Sequence, residues 1–146
     1  MKTSELAKAE IKEMEGLRLE AYRCPSGVLT IGYGHTGTDV TKGMKITQAR
    51  ADALFDGDIA RTERDVDMAL GMANVSQCQY DALVSFTYNL GAGNLRKSTL
   101  LKKVKSYPGN PSIRDEFRRW VYSKGKRLPG LVKRRDWEAS RYFGEL

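Results

Sequence analysis

The period of apolar and polar positions changes several times along the chain, and each change marks an element. Residues 3–15 read as a helix: Ala7, Ile11 and Met14 recur at i, i+4 and i+7. Thr3 or Ser4 can cap it, and Glu5 suits the positive end of the helix dipole. Gly16 is a natural residue just past a helix end, which makes Glu15 the last helical residue. From Leu17 to Ile31 the period is two. Leu17, Leu19 and Ala21 alternate with Arg18, Glu20 and Tyr22, and Val28-Leu29-Thr30-Ile31 is rich in β-branched residues. Between these runs, Cys24-Pro25-Ser26-Gly27 has proline at i+1 and glycine at i+3, the signature of a type I turn, so a hairpin is predicted.

Residues 36–43 read as loop or short strand. A long helix is predicted over 47–70, with Ala51, Leu54, Phe55, Ile59, Thr62, Val66 and Leu70 inward. Gly57 within it costs about 1 kcal/mol relative to alanine, which points to a close contact at that position. Ser76 and Gln79 form a capping box for a further helix closed by Gly91. Three more helices are predicted over 97–105, 112–122 and 130–143, with Ile113, Phe117, Trp120 and Val121 inward and a basic loop over 123–129. The fold class is α+β: one small antiparallel sheet near the N-terminus and a helical remainder.

At 146 residues the chain fits one domain with a real core. Its 40% hydrophobic and 29% charged residues exclude disorder as the ground state. Apolar runs are too short to span a bilayer, and the N-terminus lacks the apolar core of a signal peptide. The expectation is a protein held in the cytoplasm. Two cysteines and one histidine provide neither a disulfide framework nor zinc spacing, so no metal or cofactor is expected. The net charge of +7 is uneven: residues 96–135 carry 14 Lys/Arg against 2 Asp/Glu. That asymmetry suits either an anionic partner or a solvated basic face. Nothing resembles a base-reading motif, so nucleic acid is not the expected partner.

The chemistry concentrates between Glu15 and His35. A carboxyl at a helix C-terminus meets the negative end of the dipole, and burial would act in the same direction. Both favour a protonated Glu15, as a general acid requires; the alternative is a surface glutamate among Glu10, Glu13 and Glu20. Glu15, Cys24 and Thr30, followed by Ile31-Gly32-Tyr33-Gly34-His35, resemble the motif of the phage-type lysozymes, the muramidase endolysins of glycoside hydrolase family 24. The similarity continues through Gln79-Tyr80-Asp81-Ala82-Leu83, Tyr88-Asn89-Leu90-Gly91 and Pro129-Gly130-Leu131-Val132-Lys133-Arg134-Arg135 with Glu138.

The resemblance implies one lysozyme-like domain over 1–146. A β lobe at about 16–45 is joined by the 47–70 helix to a helical lobe of 71–146 plus helix 3–15, with a cleft between them. It implies cleavage of the β-1,4 bond between N-acetylmuramic acid and N-acetylglucosamine in peptidoglycan. Glu15 is then the acid, Thr30 places water, and Cys24 is the third member. Familiar relatives carry aspartate at that position, although cysteine is also described there. Cys24 could act as base, position water, or attack as a nucleophile.

Tyr88 and Asn89 match a cleft-lining pair and become possible sugar contacts, with core packing as the alternative for Tyr88. His35 matches a histidine that pairs with an acid on the long helix, here Asp58. Arg134 and Glu138 read as a structural i, i+4 pair. The implied enzyme is a monomer that reaches the wall when a holin permeabilises the membrane, with the basic segment free to meet anionic envelope material. Two alternatives stay open: a lytic transglycosylase, favoured by the missing aspartate, and a non-enzymatic basic binding module.

Overall fold

The computed structural model describes all 146 residues. Two compact units are present: Lys8–Arg61, and Met1–Ala7 together with Thr62–Leu146.

In the first unit, α1 (Glu5–Glu15) ends as the sequence requires. Gly16 takes φ +76° and its N–H donates to the Lys12 carbonyl at 2.9 Å. Strands β1 (Arg18–Arg23), β2 (Leu29–Gly32) and β3 (His35–Thr36) form an antiparallel sheet in that order. The β1–β2 turn is closed by Gly27 N–H donating to the Cys24 carbonyl at 2.7 Å, with Gly27 at φ +86°. The other edge of β1 is covered by residues 44–46: Ala21 N–H donates to Met44 O, and Ile46 N–H to Leu19 O. The alternation of Leu17, Leu19 and Ala21 does not give a buried face. The β1–β2 register shifts between Arg18 and Tyr22, which turns side chains off a strict two-residue period, and Leu19 is 42% exposed. The core of this unit is instead Ile11, Ile31, Tyr33, Val40, Ala51, Phe55 and Ile59.

Helix α2 (Gln48–Leu70) is capped by Thr47, whose hydroxyl accepts from Arg50 N–H at 3.1 Å. The close contact expected at Gly57 is absent: a Cβ built there meets nothing within 4 Å. Gly57 faces open space, and nothing in the structure explains it.

In the second unit, α3 (Gln77–Leu90) has the predicted capping box, with Gly91 at φ +90° behind it. The basic helix expected over 97–105 is α5 (Thr99–Ser106), and it is preceded by a further short helix that was not expected, α4 (Ala92–Lys97). Ser98 takes an extended conformation between them and its hydroxyl caps α5, accepting from Leu101 N–H at 3.0 Å. Helix α6 (Ile113–Arg118) is shorter than the predicted 112–122. Tyr122, expected in that helix, begins a hairpin of β4 (Tyr122–Ser123) and β5 (Lys126–Arg127) where a basic loop was expected. Its two-residue turn places Lys124 at φ +51° and Gly125 at φ +79°, the conformation of a type I′ turn. Trp120 is half-buried rather than fully inward. Helix α7 (Pro129–Tyr142) starts on proline at N1, where no N–H is missed. It packs on α3 and α6 through Phe86, Phe117, Ala139 and Tyr142.

The chain start is gripped by two buried carboxylates. Asp81 on α3, fully buried, accepts from Ser4 N–H (2.9 Å), Ser4 Oγ (2.6 Å), Gln77 Nε2 (2.9 Å) and Arg141 Nη2 (2.7 Å). Glu63 accepts from Thr3 N–H at 2.7 Å and Thr3 Oγ1 at 2.8 Å. Removing Asp81 strands a buried guanidinium. We expect Asp81→Ala to cost roughly 3–5 kcal/mol in chemical denaturation, against about 1 kcal/mol for the cap variant Ser76→Ala.

Candidate active site

Glu15 is half-buried and occupies the last residue of α1. Its carboxyl lies on the backbone of Gly34: a Cβ built at that glycine would stand 2.7 Å from Glu15 Oε1 and 3.4 Å from Cδ. Gly34 also holds φ +81°, where side-chain-bearing residues are strained. Two independent constraints therefore demand glycine here, and the glycine-rich stretch is the seat of the carboxyl.

Thr30 and Cys24 belong to the hairpin. Thr30 is buried on β2, opposite Tyr22 and Thr36, and its hydroxyl donates to the Val28 carbonyl at 3.0 Å. That commits its only proton and leaves its lone pairs to accept. Cys24 is half-buried in the turn, with Sγ 2.8 Å from Ser26 Oγ. The Ser26 hydroxyl, then the Val28 backbone, pull the thiol pKa down to about 7. Near neutrality a large fraction is thiolate. Ser26 was missed in the sequence, although its place two residues after the cysteine in a tight turn was a usable signal.

His35 lies in β3 with Nδ1 2.8 Å from Asp58 Oδ2 and Nε2 3.0 Å from Asp39 Oδ2. Asp58 also accepts from Arg61 at 3.2 Å. A neutral imidazole has one N–H and cannot donate to both acids, so the arrangement favours imidazolium. Burial alone would lower the His35 pKa, but Asp58 and then Asp39 outweigh it and the net shift is upward. His35 in turn lowers the pKa of Asp39. Asp39, at i+4 from His35, is a second partner the sequence reading did not name.

Tyr88 and Asn89 are half-buried near the end of α3, in the other unit from Glu15, Cys24 and Thr30. Asn89 Oδ1 accepts from Arg135 Nη2 at 2.8 Å. Arg135 and Glu138 are both fully buried. Glu138 meets Arg135 Nε at 2.7 Å, closer than the predicted partner Arg134 at 3.4 Å, and accepts from Ser85 Oγ at 2.6 Å. No group of three or more His, Cys, Asp or Glu is arranged to hold a metal ion.

Two measurements follow from this geometry. Gly34→Ala should lower stability by roughly 1–2 kcal/mol through its left-handed backbone, and should lower wall-clearing activity further than that loss explains, because the methyl displaces the Glu15 carboxyl. For His35, the folded pKa lies above the unfolded value of about 6.5, so its contribution is full below that pH and is lost as pH rises through the folded value. The stability gap between the wild type and His35→Gln, measured by urea denaturation, should be wider at about pH 6 than at about pH 9.

Comparison with known proteins bears on the chain and its fold as a whole. The phage lysozyme family model matches residues 12–138. An endolysin of Acyrthosiphon pisum secondary endosymbiont phage 1 is 42% identical over 144 residues, covering 94% of this chain and 95% of the relative. A SAR-endolysin of Bacteriophage PS119 is 39% identical over 125 residues, covering 86% and 74%. Among solved structures, the muramidase domain of SpmX from Asticaccaulis excentricus superposes with TM-score 0.85 at 33% identity, covering 97% of both chains. On the strength of that match and of the fold it accompanies, the chain belongs to the phage lysozyme family.

Proposed function

We propose that this protein is a muramidase endolysin that hydrolyses the β-1,4 bond between N-acetylmuramic acid and N-acetylglucosamine. The observation that carries the reading is the Glu15 carboxyl seated on Gly34 at the helix end, with the Cys24–Thr30 hairpin in the same unit. Glu15 gives its proton to the glycosidic oxygen as the C1–O bond breaks. Thr30 accepts a hydrogen bond from the attacking water, since its own proton is engaged by Val28. The Cys24 thiolate takes the other proton of that water as its oxygen bonds to C1, so thiolate replaces the second carboxylate of an inverting pair.

Cysteine in place of aspartate also favours a second reading, a lytic transglycosylase. There the sugar's own C6 hydroxyl attacks C1 and water is not consumed. Mass spectrometry of digested peptidoglycan separates the two: hydrated reducing ends support hydrolysis, and 1,6-anhydromuramic ends support the alternative.

The route to the wall is part of the proposal: a monomer accumulating in the host cytoplasm until a holin opens the membrane. No helix is long and apolar enough to cross a membrane. Lys97, Lys102 and Lys105, none with an acidic partner, support contact with anionic envelope material that should weaken as salt rises.

Glu15→Gln should reduce turbidity clearing by about 10²–10⁴-fold with an unchanged circular dichroism spectrum. Retained activity would sink the reading. With wild-type protein, activity should rise as pH passes through about 7, where the thiolate forms; Cys24→Ser should lose that rise and Cys24→Asp should move it to lower pH. A fully active Cys24→Ser would remove the thiol from the mechanism.

A further inference from the structure

The turn between β1 and β2 carries a hydroxyl that takes no part in the proton transfers above. Ser26 is exposed, and its Oγ makes one hydrogen bond, to Cys24 Sγ at 2.8 Å. Either atom can donate while the thiol is neutral. Once the thiolate forms, Sγ can only accept, and the serine hydroxyl must donate to it. A hydrogen bond to an ionised partner is the stronger kind, and it favours the charged form. The contact therefore distinguishes the two ionisation states of Cys24, which a packing contact would not do.

The backbone around this pair is closed at several points. Cys24 N–H donates to the Val28 carbonyl at 3.0 Å, and the same carbonyl accepts from the Thr30 hydroxyl at 3.0 Å. One oxygen thus ties the Cys24 backbone to the Thr30 side chain. Gly27 N–H returns to the Cys24 carbonyl at 2.7 Å, and the Arg23 guanidinium holds the Gly27 carbonyl at 2.8 Å. Gly27 bears the left-handed backbone of the turn at φ +86°, while Ser26 does not share it. Alanine would fit at position 26, so the turn itself does not require a hydroxyl there.

The charged groups of the sheet are engaged elsewhere. Arg23 is on Gly27, Arg18 stacks on the Tyr22 ring at 4.4 Å, and Glu20 stands across from Lys45 at the other edge of β1. His35 on β3 is taken up by Asp39 and Asp58, and the Glu15 carboxyl lies on Gly34. Hydrogen bonds hold the Cys24 thiol below its ordinary range, the Ser26 hydroxyl foremost and the Val28 backbone next.

We propose that Ser26 is a positioning residue for the reaction, acting through Cys24 by keeping Sγ hydrogen-bonded in its thiolate form. It touches neither glycan nor water. The inference rests on the reading of Cys24 as the group that takes the proton from the attacking water, and it makes one exposed turn residue the determinant of how far toward acid pH the enzyme works.

The test uses the full chain as Cys78→Ala, in which Cys24 is the sole thiol. The rate of alkylation by iodoacetamide against pH gives the thiolate midpoint without any substrate, and kcat and KM on solubilised peptidoglycan are measured over the same range. The midpoint should lie at about 7 in this parent. Ser26→Ala should carry it toward the ordinary thiol value of about 8.5, and Ser26→Thr, which keeps the hydroxyl, should bring it back. At pH 7, kcat of Ser26→Ala should be about tenfold lower with KM unchanged, and the gap should nearly close by about pH 9, where both thiols are ionised. A midpoint that stays in place in Ser26→Ala would overturn the role of Ser26 and leave the hydrolase reading standing. An equal loss of kcat at every pH would show a merely structural residue and overturn it too. A midpoint that moves while the activity profile does not follow would remove the thiolate from the reaction, and the positioning role with it.

Discussion

A buried carboxylate at position 81 is the constraint on which the helical unit turns. Asp81 has no solvent to stabilise its charge, so it must be satisfied from within. It gathers donors from the chain start, from its own helix and from α7. Three segments far apart in sequence meet on one residue, and none can shift without leaving a charge exposed to a low dielectric. Glu63 repeats the arrangement one residue earlier, on Thr3. The first residues of a chain ordinarily fray. Here Thr3 and Ser4 are each tied through backbone and hydroxyl to a buried carboxylate, and α1 begins from that point.

A second buried charge cluster acts differently. Arg135 and Glu138 are both removed from water, and the desolvation cost offsets much of their attraction. What the arrangement provides is direction. The planar guanidinium faces Phe86, pairs with Glu138, and still has donors for the Asn89 amide and the Trp120 carbonyl. A lysine could supply the charge but not the fork. Both clusters spend burial on orientation, one at the N-terminus of α1 and the other where the end of α3 meets the residue after α6.

Much of this was legible in the residues. Gly16 ended α1, Ser76 with Gln79 opened α3, and the Pro25–Gly27 turn joined two strands, because each is local chemistry within four residues. The β3 strand and the Tyr122–Arg127 hairpin were not legible. Both are two-residue strands without room for alternation, and Lys124-Gly125 lacks the usual Asn or Asp of a type I′ turn. Ser98 was hidden because the basic run reads as one helix from residue 97, and its capping role appears only once α4 ends ahead of it. Within the candidate site, Glu15, Cys24 and Thr30 came from resemblance more than from period. The reason for Gly34 required coordinates: a sequence displays a glycine, not the carboxyl that would collide with its side chain.

The last turn of α1 acts as a ruler within its own unit. Its near mark is Ile11, fully buried in that unit's core, and its far mark is Glu15, four residues on. Each residue advances the helix by about 1.5 Å and turns it by about 100°. Deleting one residue between these marks would swing the carboxyl off Gly34. Substitution along the exposed face of α1 is therefore cheap and length is not. Descendants of this chain can drift freely in the composition of that helix, but insertions and deletions within it should be rare.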